Sequence, residues 1–246
     1  MIVFAQLSDT HLDGGQPRAD RARAVMASLA RGRAPLDAVL VTGDIADHGL
    51  PSEYEQARSV LTAPWPVLFC PGNHDERAAF RRVLLGSEGV LPINQVHRMP
   101  GVVIAACDST IPGRDDGYLS DETLAWLDAE LGVDPVTPAF VVLHHQPVPL
   151  HTEASDVIRL SGEDRLAAVI DRHPQVVAVL CGHAHSAAAT TFAGRPLLAA
   201  PGVVSTGVLP WEERDSADFQ APPAVAYHVL GDDGRLTTHY RPITLG

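Results

Sequence analysis

Between residues 2 and 181 the chain carries six short apolar runs: Ile2–Leu7, Ala38–Thr42, Val67–Cys70, Val102–Cys107, Ala139–Leu143 and Val176–Cys181. Runs this short, rich in Val, Ile, Leu and Ala, predict strands. The stretches between them have apolar residues at helical spacing. In Arg18–Arg33 these are Ala22, Val25, Met26 and Leu29, and Ser52–Leu61, Glu76–Leu85, Ser120–Leu131 and Gly162–Arg172 repeat the pattern. Ser120 stands where a helix N-cap is wanted. Strands alternating with helices predict a layered α/β core.

The last third changes character. Ala187–Phe192, Pro196–Ala200, Ala224–Leu230 and Arg235–Tyr240 read as short strands, and Ala193-Gly194 and Asp232-Asp233-Gly234 read as hairpin turns. A mixed or antiparallel sheet is therefore expected to close the fold. Gly86–Gln95 and Pro210–Pro223 read as long loops, the second polar and acidic. No repeat or linker interrupts the pattern, so residues 1–246 are expected to form a single domain.

Composition sharpens the picture. With 46% apolar and 20% charged residues the chain is globular in character. At 246 residues it can bury a full core without disulfides or a structural metal, so a bound metal would serve chemistry. All 18 basic residues are Arg, against 30 acidic ones, and the net charge is −12. Such a chain is a poor partner for nucleic acid or for an anionic membrane surface. An anionic substrate would need local cations to attract it. The 12 histidines are the compositional oddity, because imidazole is the commonest metal ligand. Cys70, Cys107 and Cys181 match no zinc-knuckle spacing and read as reduced, buried thiols of a cytoplasmic protein. The N-terminus has neither the basic nor the long apolar stretch of a signal peptide, and no run of 18 apolar residues suggests a membrane span.

The polar residues cluster where the strands end. Asp9-Thr10-His11 follows the first strand, Gly43-Asp44-Ile45-Ala46-Asp47 the second, Gly72-Asn73-His74-Asp75 the third, His144-His145-Gln146-Pro147 a later one, and Gly182-His183-Ala184-His185 the sixth. In an α/β sheet, ligands bind at the carboxyl ends of strands, so five such loops converge on one site. Residues i and i+2 of an extended chain point the same way, so Asp-x-His and His-x-His can each present two ligands to one point. Mixed oxygen and imidazole donors suit Mn²⁺, Fe or Zn²⁺ better than Ca²⁺ or Mg²⁺. Asp9, His11, Asp44, Asn73, His144, His183 and His185 are too many for one tetrahedral ion and suit two ions about 3.5–4 Å apart, bridged by a carboxylate. Singly, each motif is more often a turn or a cap. In this order, each at a strand end, they point to metal.

The ordered set resembles the calcineurin-like metallophosphoesterase superfamily, and the Pro201-Gly202-Val203 and Pro222-Pro223-Ala224 segments resemble its class III cyclic-nucleotide phosphodiesterase branch. The resemblance implies an α/β sandwich of two central mixed β-sheets flanked by helices. It implies that Asp9, His11 and His185 hold one ion, that Asn73, His144 and His183 hold the other, and that Asp44 bridges them. His144, rather than its neighbour His145, is taken as the ligand, because adjacent strand residues point oppositely. His74 is implied to face the substrate and serve the leaving oxygen, with Asp47 hydrogen-bonded to it and fixing its orientation. A water acidified by both ions is expected to attack phosphorus in line. Two carboxylates among seven ligands leave the loaded site positive, which explains how an acidic protein binds an anion.

Substrate class follows by exclusion. His48 after Asp47, and Asp75 closing its motif, depart from the protein Ser/Thr phosphatases. Asp47 stands where a purple acid phosphatase has its Tyr ligand. The chain has no basic groove for a repair nuclease and no apolar insertion for a lipid-precursor pyrophosphatase. A small phosphodiester remains, with 3′,5′-cyclic AMP or a related cyclic nucleotide first and glycerophosphodiesters or a broad phosphoester range second. A non-catalytic metal-binding scaffold is disfavoured, because no ligand is missing. The resemblance also allows a homodimer. His145 reads equally as pocket or packing residue, and His48 as a pocket-rim or, preferably, a surface loop residue. His97, His151, His173, His228 and His239 read as ordinary surface or half-buried residues, and Arg77, Arg81 and Arg82 as an anion patch or, preferably, a solvated helix face. Trp211–Asp215 reads as a solvated loop whose Trp211 could cover the site.

Overall fold

The computed structural model describes residues 1–213 and 217–245. Two mixed sheets stack face to face. The first has the order β13-β12-β1-β2-β3, with β1 (Ile2–Leu7), β2 (Ala38–Thr42) and β3 (Val67–Cys70) parallel and β12 (Ala224–Leu230) and β13 (Leu236–Pro242) closing one edge antiparallel. The second has the order β10-β11-β9-β7-β5-β4. In it β5 (Val102–Ala106), β7 (Ala139–Val142), β9 (Val176–Cys181) and β11 (Arg195–Ala199) run parallel, and β4 (Gln95–Met99) and β10 (Ala188–Phe192) are antiparallel edges.

Alternation along each strand builds three apolar layers. Phe4, Leu40, Ile104, Phe140, Val142 and Leu180 point between the sheets, where Phe4 and Phe140 meet edge to face at 4.9 Å. Their neighbours point outward. Ala5, Leu7, Val39 and Val41 pack under α1 (Gln16–Ala30) and α2 (Pro51–Val60). Val103, Ala105, Val141 and Val179 pack under α4 (Asp121–Gly132) and α6 (Glu163–Asp171). Both faces of the central strands are covered, which is why they read as continuous apolar runs. The α/β sandwich of two mixed sheets flanked by helices is the architecture that the motifs implied.

The expected strands and helices form, with ends shifted by a few residues. Ser120 caps α4, its hydroxyl accepting from Thr123 N–H. Four elements were not foreseen. β4 includes Gln95, the end of a presumed loop, because an edge strand needs only one apolar side. The helical turn α5 (Glu153–Asp156) and the two-residue strands β6 (Gly117–Tyr118) and β8 (Leu160–Ser161) are too short to carry a period. α3 (Arg77–Phe80) starts one residue after Glu76, which caps it, and continues as a π-helical turn over Arg81–Leu85. In Pro210–Pro223, the described residues form no strand, and residues 214–216 lie outside the described set.

Candidate metal centre

All five motif loops leave the carboxyl ends of parallel strands, three from the first sheet and two from the second, and meet at the seam between the sheets. Main-chain bonds lace them together: Asp9 N–H to Gly43 O (3.0 Å), His11 N–H to Asp44 O (2.9 Å) and Gly182 N–H to His144 O (2.9 Å). The approach is close enough to require glycine. A Cβ on Gly72 would run into the Asp44 carboxylate, and one on Gly43 into the His144 ring. Asp9, His11, Asp44, His183 and His185 all have left-handed backbone, with φ between 42° and 67°. Non-glycine residues tolerate this region at a cost of about 1–3 kcal/mol each, and such strain gathers at functional sites. Five of the seven proposed ligands are bent this way, so the backbone itself aims them inward.

The donor atoms converge. Asp44 Oδ1 accepts the His74 N–H (3.0 Å), which leaves Oδ2 to lie 3.5 Å from His11 Nε2 and 3.3 Å from His144 Nε2. His11 Nε2 stands 3.3 Å from His185 Nε2, and His185 Nε2 stands 3.6 Å from Asp9 Oδ1. On the other side His183 Nδ1 is 3.2 Å from His144 Nε2. Two donors bound to one ion at about 2.1 Å are separated by about 3.0–3.4 Å, so these spacings are close to those of ligands around a shared cation. The second nitrogens are already used. His11 Nδ1 donates to Asp47 Oδ1 (3.1 Å), His144 Nδ1 donates to Thr42 O (2.8 Å), and His185 Nδ1 pairs with Ser205 Oγ (2.8 Å). Each bond fixes a ring and turns its Nε2 toward the centre.

The residues fit a metal on an independent count. Both carboxylate oxygens of fully buried Asp9, Asn73 Oδ1 and His183 Nε2 are buried without a hydrogen-bond partner. Buried polar atoms are rarely left so, and four in one recess mark a group that would supply their partner. Charge gives the same answer. Burial opposes the charge of His144, but Asp44, Asp9 and the Thr42 carbonyl together outweigh it and raise the imidazole to about 9. Burial likewise opposes charge on His11, and Asp47, Asp44 and Asp9 overcome it and raise its pKa. Burial, and then neighbouring imidazoles, hold His183 well below the ordinary value. Carboxylates that recruit protons onto two imidazoles would bind cations in their place, with release of those protons.

Other candidates fall outside this set. His145 is fully buried; its Nε2 donates to Asp115 O (3.1 Å) and its Nδ1 accepts from Ser109 Oγ (2.8 Å). Burial, then His144, lowers its pKa to about 3, so it packs as a neutral ring behind His144 and His183. His48 is exposed and held by buried Glu53 (2.8 Å). Arg77 does not belong to a solvated face: it pairs with buried Asp108 (2.8 Å), and Arg81 donates to Leu91 O and Pro92 O. His228 is fully buried, bonded to Gln6 Oε1 (2.9 Å) and Thr238 Oγ1 (2.8 Å). Trp211 is 71% exposed, and its neighbours Pro210 and Glu212 line the cavity in its stead.

One expectation needs correction. The Asp47 carboxylate does not hold His74. It bonds the His11 ring and accepts from Arg18 Nη1 (2.6 Å), while the Asp47 main-chain carbonyl accepts from His74 Nδ1 (2.8 Å). The loop turns its backbone, not its side chain, toward His74. Arg18, which also donates to the His11 carbonyl (2.7 Å), carried no signal in the sequence beyond its place on a helix.

The calcineurin-like phosphoesterase family profile matches residues 2–187. The chain belongs to the calcineurin-like phosphoesterase family. It is 33% identical to a 3′,5′-cyclic adenosine monophosphate phosphodiesterase of Pseudomonas aeruginosa, over 96% of this chain and 88% of that protein. It is 32% identical to a glycerophosphodiester phosphodiesterase of Enterobacter lignolyticus, over 92% of this chain and 86% of that one. Among solved structures, a dimetal phosphatase from Danio rerio superposes with a TM-score of 0.74 at 17% identity, covering 99% of this chain and 96% of that one. The expected enzyme class, a phosphoester hydrolase, therefore stands. Among the described residues no helix is long and apolar enough to cross a membrane.

In this phosphoesterase the Asp47 carboxylate orients the His11 ring, and if that ring binds metal such a contact would be worth about 10–100-fold in metal affinity. Asp47→Asn is expected to lower metal retention on dialysis against a weak chelator by that factor, with activity restored by excess metal. A variant with full metal content and a selective defect on poor leaving groups would return the carboxylate to His74.

Proposed function

We propose that the protein is a metal-dependent phosphodiesterase acting on small diesters. The observation that carries this reading is the recess of unpartnered buried donors, Asp9, Asn73 and His183, opening beside His74. Asp9, His11 and His185 would hold one ion, Asn73, His144 and His183 the other, and Asp44 Oδ2, placed between the two groups, would serve both. When bound, such a pair supplies positive charge for the phosphoryl oxygens and lowers the pKa of water to provide the nucleophile.

The chain's own groups supply the rest. His74 is exposed at the mouth, its ring edge-on to His11 at 4.5 Å. Because His74 Nδ1–H donates to the Asp47 carbonyl, Nε2 is the nitrogen left to meet substrate. There it can hydrogen-bond a phosphoryl oxygen or protonate the departing alkoxide. Arg18 and Asp47 hold His11 from behind, and Thr42 and Ser205 hold His144 and His185. The buried thiols Cys70, Cys107 and Cys181 are free, which supports a reducing, cytoplasmic setting.

Cyclic 3′,5′-nucleotides are the first substrates on this reading. A second class, glycerophosphodiesters, is favoured by one observation. Two cavities, of about 760 and 400 Å³, share Asn73 and His74 in their walls. An open diester has two arms diverging from phosphorus, and this fork accommodates one on each side. The test is the Mn²⁺-loaded protein on cyclic nucleotides, glycerophosphodiesters, aryl diesters and the matching monoesters. Diesters are expected to have the higher kcat/KM; higher values for monoesters would overturn the reading. His74→Ala is expected to cost about 10²–10⁴ in kcat on an alkoxide leaving group, and much less on an aryl one that leaves without a proton, with metal content intact. Equal losses on both would reject proton donation.

A further inference from the structure

The smaller cavity, of about 400 Å³, holds a cation that the metal centre does not use. Asn73 and His74 line it, and none of the other proposed ligands does. Arg77, at the start of α3, lines it too, with Val90, Ile111 and Pro112 supplying apolar surface. The Arg77 guanidinium is pinned by two of its nitrogens. Nε donates to Asp108 Oδ2 (2.8 Å), and Nη2 donates to Thr110 O (2.9 Å) and Thr110 Oγ1 (3.3 Å). Asp108 is itself fixed, its carboxylate fully buried. Its Oδ2 also accepts the Ile93 N–H (2.8 Å), and its Oδ1 accepts the Thr110 N–H (2.8 Å) and hydroxyl (2.6 Å). Nη1 has no partner among the described residues, although only 13% of the Arg77 side chain is exposed. The carboxylates nearest in sequence do not take it. Glu76 accepts from the Ala78 and Ala79 N–H groups, and Asp75 from the Gly72, Ile45 and Ala46 N–H groups and the Tyr54 hydroxyl. A planar guanidinium held by two nitrogens presents the third in a set direction, with little entropy left to lose when a ligand meets it.

Resting on the phosphodiesterase reading, we infer that the smaller cavity receives the leaving arm of the diester, and that Arg77 Nη1 donates a hydrogen bond to an oxygen on that arm. In an in-line displacement the leaving oxygen lies opposite the nucleophile. The nucleophilic side is the larger cavity, which His11, Asp44, His183 and His185 line, so the departing arm runs past His74 into the smaller one. The oxygen of water bonds to phosphorus as the P–O bond to this arm breaks, and the arm's oxygen takes its proton from His74. Farther along the arm, carbon lies on Val90, Ile111 and Pro112 and an acceptor oxygen meets Nη1. Arg77 is then a specificity-determining residue. A hydrogen bond from a charged donor in a cavity open to water is worth about tenfold, the lower end of its range.

A mixed diester with one 2-methoxyethyl and one butyl arm tests this. The arms have the same length and differ by one ether oxygen, which can accept a hydrogen bond and cannot donate one. Either arm can leave, so the ratio of 2-methoxyethanol to butanol released by the Mn²⁺-supplied protein reports which arm occupies the leaving side. Metal content and the fraction of folded enzyme cancel from that ratio. Arg77→Lys keeps a cation for Asp108 and loses the fork, and it is expected to lower the ratio about tenfold. If that variant does not fold, R77Q/D108N, which removes both charges of the pair, takes its place with the same expectation. A ratio within twofold of wild type, or one that rises, would overturn the inference. If neither alcohol is released by wild type, the phosphodiesterase reading fails separately. Equilibrium dialysis of the 2-methoxyethyl and butyl esters of methylphosphonate then decides: an affinity ratio that falls about tenfold in the variant supports the subsite, and an unchanged ratio or no binding of either ester rejects it.

Discussion

Two carboxylates and four imidazoles crowd a recess that water barely reaches, and the recess is stable only if something positive sits among them. Asp9 is the extreme case, fully buried with neither oxygen hydrogen-bonded. Burying an isolated carboxylate is costly unless charge or donors compensate it. Here the compensation must come from a cation, or from the protons that Asp44 and its neighbours draw onto His144 and His11. The left-handed turns, the glycines at 43 and 72 and the ring-fixing bonds to Thr42, Asp47 and Ser205 all deliver donors to this one place.

The two-sheet sandwich makes that delivery possible. A single parallel sheet would bring adjacent strand ends to one row. Two stacked sheets bring Asp9, Asp44 and Asn73 from one row to face His144, His183 and His185 from another. Asp44 lies at the crossing, one oxygen pinned by the His74 amide and the other turned to both groups. The rigid core between the sheets, centred on Phe4 and Phe140, holds the rows at constant separation. The cavity walls beyond the ligand cluster hang on less regular chain: α5 on one side and the segment leading to Glu212 on the other.

Much of this was legible in the sequence, for identifiable reasons. Central strands covered on both faces must be apolar throughout, so β1, β2, β3, β5, β7 and β9 stood out, and the polar residues at their ends stood out against them. What escaped notice was set by tertiary contact. Gln95–Met99 is too mixed in polarity to announce β4. The partner of the Asp47 carboxylate depends on how the loop rotates, which residue order does not encode, so a plausible bond to His74 gave way to one with His11. Arg77 looked like one of three surface cations because its buried partner, Asp108, lies 31 residues away. The cavity above the ligands is lined by segments far apart in the chain, around residues 153–158 and 207–212, and no local pattern connects them.

The central claim is that one carboxylate oxygen serves two ions. Anomalous diffraction from crystals of the Mn²⁺-supplied protein tests it most directly. The account predicts two peaks per chain about 3.5–4 Å apart, with Asp44 Oδ2 within bonding distance of both. A single ion, or a pair in which Asp44 touches only one, would contradict it.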